Sequence, residues 1–423
     1  MNSNTNTDKR CILAYTSMYI EPDGKIRPCC VADDFKEELN FNDYDSITEI
    51  INAPQFKELR KSMEDGDPLS MCDICYKGNN QLMPHWNNMW KHKLKDPLLS
   101  DKNQNVQSLD YLDARFSNLC NFKCRMCGPG LSTTWYEDEI ALGGDKSKNY
   151  IKDLEEKQMI HSDPVSKFSA KDLQGIEHLN VGGGEPFITA DFWKLIDSFT
   201  DEQKSKISMY VNTNGSIIKY KGQNIMDKLN KFKEVIIGVS CDGYGKIVEY
   251  QRTGFKQERF DKNFSYMVDY CKGKDHLITN IEYTITNMNV YHIQDFIYYV
   301  KDKWPSIGYN GIHFHWATLP RFYAPALAPE SMKKDIIKYI ANIMNHNPRK
   351  DGYETFQYSR VIDESLKGFL HHLLNADIDA MLQLSGNKYS YDATYFHNKI
   401  DKLRGDSWKD IVPHMAPIIE KAI

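Results

Sequence analysis

Short apolar runs alternate with helical patterns between about Leu109 and His315, and this alternation constrains the fold most. Strand–helix–strand units at roughly 30-residue spacing are typical of parallel βαβ connections. About six such units predict an α/β fold, a partial (β/α)6 TIM-like barrel, with its chemistry at the C-terminal ends of the strands. The predicted strands are Leu109–Phe116, Ile176–Val181, Ser208–Asn212, Val235–Ser240, Asn280–Ile285 and Ile312–His315, and helical patterns lie between them at Ala190–Phe199, Ile225–Phe232, Phe260–Cys271 and Ile293–Val300.

The composition is that of an ordinary globular protein. Of the 423 residues, 41% are hydrophobic and 26% are charged, and the net charge is −5. This mild charge gives no reason to expect nucleic acid or an anionic membrane as a partner. No apolar run approaches the ~20 residues of a membrane span, and the polar N-terminus lacks a signal-peptide core. The sequence therefore predicts a cytoplasmic protein that binds neither membrane nor nucleic acid.

Four regions follow one another along the chain. Residues 1–10 are wholly polar and are predicted to be disordered, and residues 11–98 are predicted to form a small α+β module. The barrel is expected over residues 105–320, and a mainly helical extension without an interpretable motif over 321–423. Within the module a β-hairpin is expected over Leu13–Ile20 and Lys25–Arg27. Within the barrel the polar connection Gly143–Asp172 is expected to be exposed, and a lid is the alternative.

One loop after the first barrel strand concentrates three cysteines, Cys120, Cys124 and Cys127. Three thiolates at these offsets can bind three irons of an iron–sulfur cube and leave the fourth iron open to another ligand. The alternatives are a zinc knuckle or a set of buried thiols. Zinc sites usually offer two pairs of ligands, and no fourth Cys or His lies nearby in the sequence.

Polar or glycine-rich motifs follow the next three strands. Gly183 and Gly184 allow close approach of the backbone to a ligand, and Glu185 offers a carboxylate for an ammonium group. Asn214 ends the third strand, where a plain strand-to-helix turn is the alternative. The fourth strand ends in Ser240-Cys-Asp-Gly with Arg252 shortly after it; Ser240 suits a ribose hydroxyl and Arg252 suits a carboxylate, unless Arg252 is a surface residue.

Together the cysteine loop and these motifs resemble the radical S-adenosylmethionine (SAM) enzymes. The resemblance implies that Cys120, Cys124 and Cys127 bind a [4Fe–4S] cluster whose open iron is chelated by SAM. It implies that the Gly-Gly-Glu stretch binds the SAM amino group. The remaining SAM contacts implied are Asn214, Ser240 and Arg252. The sequence departs from the family pattern at Met126, where the residue before the third cysteine is usually aromatic.

A second group of cysteines lies near the N-terminus. The spacing of Cys11, Gly24 and Cys29, followed by Cys72 and Cys75, resembles the opening half of a SPASM domain. This implies a Twitch domain, the half-SPASM form, with one auxiliary [4Fe–4S] cluster, although the module usually follows the barrel. Zinc is the alternative for four cysteines. Cys30 competes with Cys29 as a ligand, and the spacing from Gly24 favours Cys29.

Two histidines share one face of the predicted sixth strand. His313 and His315 are two residues apart and are candidates for contact with adenine or substrate. A satisfied core histidine is the alternative for each. No catalytic acid or base is assigned from the sequence.

The resemblance implies a radical SAM enzyme that reductively cleaves SAM to a 5′-deoxyadenosyl radical. That radical abstracts a hydrogen atom from a substrate, expected to be a peptide or protein side chain. The alternatives are radical oxidation or rearrangement of a small molecule of sugar or nucleoside type, and a non-catalytic protein that binds SAM and an iron–sulfur cluster. A flavodoxin- or ferredoxin-like protein is the expected electron donor, and two [4Fe–4S] clusters predict about eight iron atoms per chain.

Overall fold

The computed structural model describes residues 10–76, 82–94, 100–159, 163–307, 311–345, 360–376 and 392–420. The predicted disordered segment 1–10 lies outside these residues, apart from Arg10. The chain forms two compact units. The first comprises Met1–Leu119, Leu154–Val211 and Lys231–Val235, and the second comprises Cys120–Asp153, Asn212–Asn230 and Ile236–Ile423.

The first unit is built on a sheet with the strand order β2–β1–β3–β4–β5. β2 is antiparallel to β1, and the other neighbouring pairs are parallel. One row of side chains across this sheet, Met18, Leu112, Leu179 and Met209, is almost completely buried, which explains why these runs form strands. The strands are β1 (Ser17–Ile20), β2 (Ile26–Arg27), β3 (Tyr111–Ala114), β4 (His178–Val181) and β5 (Ser208–Thr213).

In the second unit β6 (Glu234–Ser240), β7 (Leu277–Ile285) and β8 (Ile312–Trp316) are neighbours in that order. β7 and β8 are parallel, so that Glu282 lies beside His313. The ring of Tyr283 packs 5.0 Å from that of Phe296 on the following helix. Because side chains alternate along a strand, Glu282 projects from the opposite face of the sheet, away from this helix.

Helices connect and flank the strands of both units. Among the described residues, none of them is both long and apolar enough to cross a membrane. In the first unit they are Leu13–Thr16, Ile47–Ile51, Pro54–Glu64, Asp73–Tyr76, Leu82–Met89, Lys91–Leu94, Ala170–Gly175, Ala190–Ser198 and Asp201–Lys204. In the second they are Tyr136–Lys157 as far as Asp153, Ile225–Leu229, Lys246–Gln251, Gln257–Cys271, Ile293–Lys303, Glu330–Asn345, Arg360–Asn375, Ala393–Arg404, Trp408–Ile411 and Ala416–Ile419.

The structure confirms the predicted α/β class, because strands follow one another in chain order with helices between them. All six predicted barrel strands are present, with ends that differ by up to three residues. The predicted hairpin is wrong over its first part. Leu13–Thr16 forms a helical turn, in which the amide and the hydroxyl of Thr16 both donate to Ile12 O, and only Ser17–Ile20 pairs with β2.

The predicted exposed connection Gly143–Asp172 is also corrected. The helix Tyr136–Lys157 runs through its first half, with a kink at Gly144. Ile151 and Leu154 are buried, because their apolar side chains recur at helical spacing. The helical character predicted for the C-terminal extension is confirmed for its described residues.

Candidate cofactor sites

The cysteine loop lies in the second unit and is held by a short two-stranded ladder. Lys123–Cys124 pairs antiparallel with Arg252–Thr253, so that Cys124 is directly opposite Arg252. The amide of Cys127 donates to Cys124 O at 3.0 Å, and the indole of Trp135 donates to the same carbonyl at 2.8 Å. These bonds fix the backbone between the second and third cysteines.

The surroundings of the loop cysteines favour the thiolate form of Cys124 over that of Cys127. A hydrogen bond from Cys127 lowers the pKa of Cys124, burial opposes this, and the positive charges of Arg252 and Arg404 lower it further. The same hydrogen bond and burial raise the pKa of Cys127. Arg252 Nη1 lies 3.9 Å from Cys124 Sγ. An iron–sulfur cluster is bound by thiolates, and a nearby cation favours the thiolate form of a cysteine.

Asp242 fixes Arg252 in this position. Its carboxylate is completely buried and accepts from Arg252 Nε at 2.5 Å and from the amide of Thr284 at 2.7 Å. A buried ion pair of this kind is costly to break, because the remaining charge stays buried. The predicted carboxylate-binding Arg252 is therefore next to the cysteine loop and is held between Cys124 and Asp242. Asp242 belongs to the Ser240-Cys-Asp-Gly motif, but the sequence alone does not predict its contact with Arg252.

Asn214 also lies at the cysteine loop. Its Nδ2 donates to Asn121 Oδ1 at 2.9 Å and lies 4.0 Å from Cys120 Sγ. Gly215 has φ +67°, and a Cβ there would lie 2.8 Å from Val239 Cγ1, so both conformation and space require glycine. The structure thus brings Asn214 together with the first loop cysteine. Ser240, half-buried at the end of β6, precedes the buried Cys241, whose thiol donates to Gly243 O.

In the first unit the Gly-Gly-Glu stretch packs closely on the residues that precede the cysteine loop in sequence. The amides of Gly184 and Glu185 donate to Ser117 O and Leu119 O, both at 2.8 Å. A Cβ at Gly184 would lie 2.2 Å from Leu119 O, so no other residue fits. The Glu185 side chain is 1% exposed and accepts from the amide of Phe187 at 3.1 Å.

His313 and His315 share the carboxylate of Glu282. Nδ1 of His313 lies 3.2 Å from Oε1, and Nε2 of His315 lies 2.5 Å from Oε2. Glu282 is almost fully buried, whereas the His315 side chain is 63% exposed. Sequence reasoning missed Glu282. The signal available was the alternation of Asn280, Glu282 and Thr284 within an otherwise apolar strand.

The four N-terminal cysteines are neighbours in the first unit. The charges of Cys72 and Cys75 act on Cys11, and the charge of Cys29 acts on Cys72. Burial raises the pKa of Cys11, Cys29 and Cys72 to about 12 and also raises that of Cys75. Four neighbouring thiols are the donor set of a fully ligated [4Fe–4S] cluster, and binding of the metal centre would deprotonate them.

Cys30 has different surroundings from Cys29. The charges of Asp113 and Arg115 act on the Cys30 thiol, and burial raises its pKa. Cys29 instead packs, with Cys11, against the apolar cluster of Ile12, Leu13, Trp90 and Tyr111. Within the described residues, no three His, Cys, Asp or Glu side chains converge tightly enough for a single metal ion. The iron–sulfur assignment of the N-terminal cysteines therefore depends on the comparison with known families.

Residues 11–76 match the family model of SPASM, an iron–sulfur cluster-binding domain. The chain is similar to GTP 3′,8-cyclase of Campylobacter lari, with 24% identity over 28% of this chain and 31% of the relative. It is similar to the mycofactocin maturase MftC of Mycolicibacterium smegmatis, with 28% identity over 29% of this chain and 25% of the relative. The aligned part thus spans about a third or less of each relative.

Solved structures to which the chain is similar in part include anSMEcpe with bound AdoMet and SuiB of Streptococcus suis bound to S-adenosylmethionine. The first has 17% identity and a TM-score of 0.38 over 63% of this chain and 66% of that chain. The second has 15% identity and a TM-score of 0.33 over 69% of this chain and 58% of that chain. The cysteine loop, the motifs beside it and the SPASM match over residues 11–76 agree with one another, and they support the predicted resemblance to the radical SAM enzymes.

Proposed function

We propose that this protein is a radical SAM enzyme that modifies a peptide or protein side chain. The observation that carries the proposal is the cysteine loop, in which Cys124 hydrogen-bonds Cys127 and lies beside a buried cation, Arg252. When bound there, a [4Fe–4S] cluster and SAM would supply, on one-electron reduction, the 5′-deoxyadenosyl radical that takes a hydrogen atom from the substrate.

The residues of the chain bind and orient these groups. We assign Cys120, Cys124 and Cys127 as the cluster ligands, and Glu185 as the acceptor for the SAM amino group. Arg252 is the proposed partner of the SAM carboxylate, because Asp242 fixes its guanidinium beside Cys124. The further proposed SAM contacts are Gly183, Gly184, Asn214 and Ser240.

The proposed auxiliary cluster belongs to the SPASM-type domain. We assign Cys11, Cys29, Cys72 and Cys75 as its four ligands, which leaves no open iron. The environment of Cys29 supports it over Cys30, because Cys29 and Cys11 border the same apolar cluster. We propose that this centre accepts an electron from the substrate radical or passes one to the first cluster. An external flavodoxin- or ferredoxin-like protein is the proposed electron donor.

The paired histidines provide a place for the substrate. Glu282 holds His315 at 2.5 Å while most of the imidazole remains exposed, so that His315 can exchange a proton or a hydrogen bond with a bound molecule. His313 is less exposed and is fixed by the same carboxylate. We propose that His315 contacts the substrate and that His313 helps to fix the Glu282 carboxylate that holds His315.

Two kinds of relative favour different substrates. MftC is named as a maturase, and one anSMEcpe structure contains a peptide, which supports a peptide substrate. The GTP 3′,8-cyclases support the second candidate, a small molecule of nucleoside or sugar type. Anaerobic incubation of the reduced protein with peptide and nucleotide libraries, followed by mass spectrometry, separates the two: the substrate class is the one that stimulates 5′-deoxyadenosine formation and gains a changed mass.

Anaerobic assay for 5′-deoxyadenosine tests the enzyme class itself. We expect reduced protein with SAM to form 5′-deoxyadenosine, and the Cys120→Ala variant to form none. If the wild-type protein contains the loop cluster and binds SAM, yet forms no 5′-deoxyadenosine under any reductant, it is a binding protein and the proposal is wrong. Replacing Cys72 and Cys75 while the loop cluster is intact tests the auxiliary centre, and unchanged product formation would exclude both electron-transfer roles.

A further inference from the structure

The C-terminal helix Ala393–Arg404 belongs to the same unit as the cysteine loop and packs against it. Phe396 and Ile400 of this helix are buried in a cluster with Trp135. Met126 and Cys127 of the loop pack against the same cluster. The helix begins at the N-cap Asp392, whose side chain accepts from the Tyr395 amide, and ends at Gly405. Cys127, the third loop cysteine, therefore packs against an apolar cluster that the C-terminal extension helps to form.

A buried arginine joins the loop to this helix. Arg125, which lies between Cys124 and Met126 in sequence, is completely buried. Its Nη2 lies 2.7 Å from Asp401 and 2.8 Å from Asp406, and its guanidinium lies 3.6 Å above the ring of Tyr250. Removing one carboxylate would leave part of a buried charge uncompensated, which is costly. Asp401 and Asp406 thus hold the backbone next to Cys124.

A second arginine, from the end of the same helix, completes the attachment. Arg404 contacts Asp138 at 2.8 Å and donates to Thr253 Oγ1 at 3.1 Å. Asp138 also pairs with Lys123 at 3.1 Å. Because Thr253 is opposite Lys123 in the short ladder, Arg404 is linked to both strands of the ladder that contains Cys124.

Arg404 affects the cysteine loop through its positive charge as well as through its contacts. Arg404 contacts Thr253 in the short ladder, and the neighbouring Arg252 lies opposite Cys124 with Nη1 3.9 Å from its Sγ. The Arg404 side chain is 1% exposed, so its field is screened little by solvent. Reduction adds negative charge to an iron–sulfur cluster, and a nearby buried cation stabilises the reduced form.

We infer that residues 393–406 position and tune the cluster loop: Asp401 and Asp406 fix Arg125, and Arg404 raises the reduction potential of the centre bound by Cys124. This inference rests on the proposed function, since it assumes a cluster on the loop. It gives the C-terminal extension a role that neither the sequence motifs nor the comparisons assign. Arg125, Asp401, Asp406 and Arg404 are positioning residues and are not proposed to touch the substrate.

The test is a redox titration of the full chain, reconstituted anaerobically, followed by electron paramagnetic resonance. The signal that changes on addition of SAM identifies the loop cluster. We expect Arg404→Gln to shift its midpoint to a more negative potential and Arg404→Lys to stay close to wild type. Lys206→Gln, which removes an exposed cation paired with Glu202, is the control and should leave the potential unchanged.

A second variant keeps the inference testable if Arg404→Gln does not fold. Asp406 is partly exposed, so Asp406→Asn is expected to fold. It should release the loop-cluster iron to a chelator several-fold faster than wild type, with auxiliary-cluster iron released at an unchanged rate. The inference is overturned if Arg404→Gln has the wild-type midpoint potential and Asp406→Asn releases iron at the wild-type rate. If Arg404→Gln cannot be prepared, a wild-type rate of iron release from Asp406→Asn overturns it. Absence of any SAM-sensitive signal in the wild-type protein would instead overturn the proposed function.

Discussion

The carboxylate of Glu282 lies 2.5 Å from Nε2 of His315, and the two residues titrate as partners. Burial alone would raise the pKa of Glu282, but hydrogen bonds from His313 and His315 outweigh it and lower the pKa to about 2. The hydrogen bond to Glu282 raises the pKa of His315. Each residue thus stabilises the charged form of the other, and the pair is fully ionised at mildly acidic pH.

This pairing predicts how the stability effect of Glu282→Gln depends on pH. The lowered pKa of Glu282 contributes stability above its unfolded value near 4.5, which is lost as the pH falls toward 2. The raised pKa of His315 contributes stability below its unfolded value near 6.5, which is lost as the pH rises through the folded value. We expect the difference in thermal midpoint between wild type and Glu282→Gln to be largest between about pH 4.5 and 6.5.

Glu202→Gln is the matched control for this experiment. Glu202, in the short helix Asp201–Lys204, pairs with Lys206 just beyond the end of that helix, and both side chains are exposed. Lysine keeps its charge throughout the range from pH 5 to 8. The difference between wild type and Glu202→Gln should therefore be flat over that range. A Glu282→Gln difference that is equally flat would show that His315 does not titrate against this carboxylate.

The two adjacent cysteines of the N-terminal domain provide a prediction on metal content. Because Cys29 groups with Cys11 and Cys72, we expect Cys29→Ser to lower the iron content from about eight to about four atoms per chain. Cys30→Ser removes a neighbouring thiol of the same type and should retain about eight. Iron and acid-labile sulfide in anaerobically reconstituted protein measure both. The reverse pattern would make Cys30 the ligand, and zinc without sulfide would exclude an iron–sulfur cluster.

Gly184 provides a prediction on packing. An alanine Cβ would lie 2.2 Å from Leu119 O, so the Gly-Gly-Glu stretch must move away from the residues before the cysteine loop. We expect Gly184→Ala to lose about 1–3 kcal/mol of unfolding free energy, the usual cost of overpacking, and to weaken SAM binding at least tenfold. Gly130→Ala is the control, because a Cβ there meets no atom within 4 Å. Denaturant unfolding and calorimetric SAM titration measure the two effects, and equal behaviour of the variants would contradict the prediction.

Short-range patterns made much of this molecule predictable. The six predicted strands follow from local runs of apolar residues and are present in the structure. The proposed site residues of the cysteine loop, Gly184 and Asn214 are predictions from motifs a few residues long. The helical turn Leu13–Thr16 was missed because its apolar residues fit a strand equally well. The connection after Gly143 was missed because its many lysines concealed the helical spacing of a few buried apolar residues.

Long-range partners could not be predicted in this way. Arg125 and Asp406 are 281 positions apart, and nothing in either neighbourhood indicates that one buried charge compensates the other. Glu282 resembles a polar interruption of a strand until β8 places two histidines beside it. Parallel strands are joined by crossovers, so that the pairing of charges depends on the completed fold and not on local sequence.

His397 in the C-terminal helix predicts acid sensitivity of the second unit. It is completely buried beside the rings of Phe322, Tyr323 and Phe396, and neither ring nitrogen has a hydrogen-bond partner among the described residues. Burial, assisted by the charge of Arg125, lowers its pKa to about 3. The folded protein therefore keeps this imidazole neutral, while the unfolded chain binds a proton below about pH 6.5.

The sign of the effect follows directly. Stability from neutral His397 is fully present above pH 6.5 and is lost as the pH falls toward 3, by up to about 1.4 kcal/mol per pH unit. His397→Phe keeps a ring of similar size and should remove this loss, so that it unfolds at higher denaturant concentration than wild type at pH 5 but not at pH 8. His371→Phe, at an exposed position, is the control and should lose as much stability at acidic pH as wild type does. If wild type and His397→Phe lose the same stability at acidic pH, another group causes that loss.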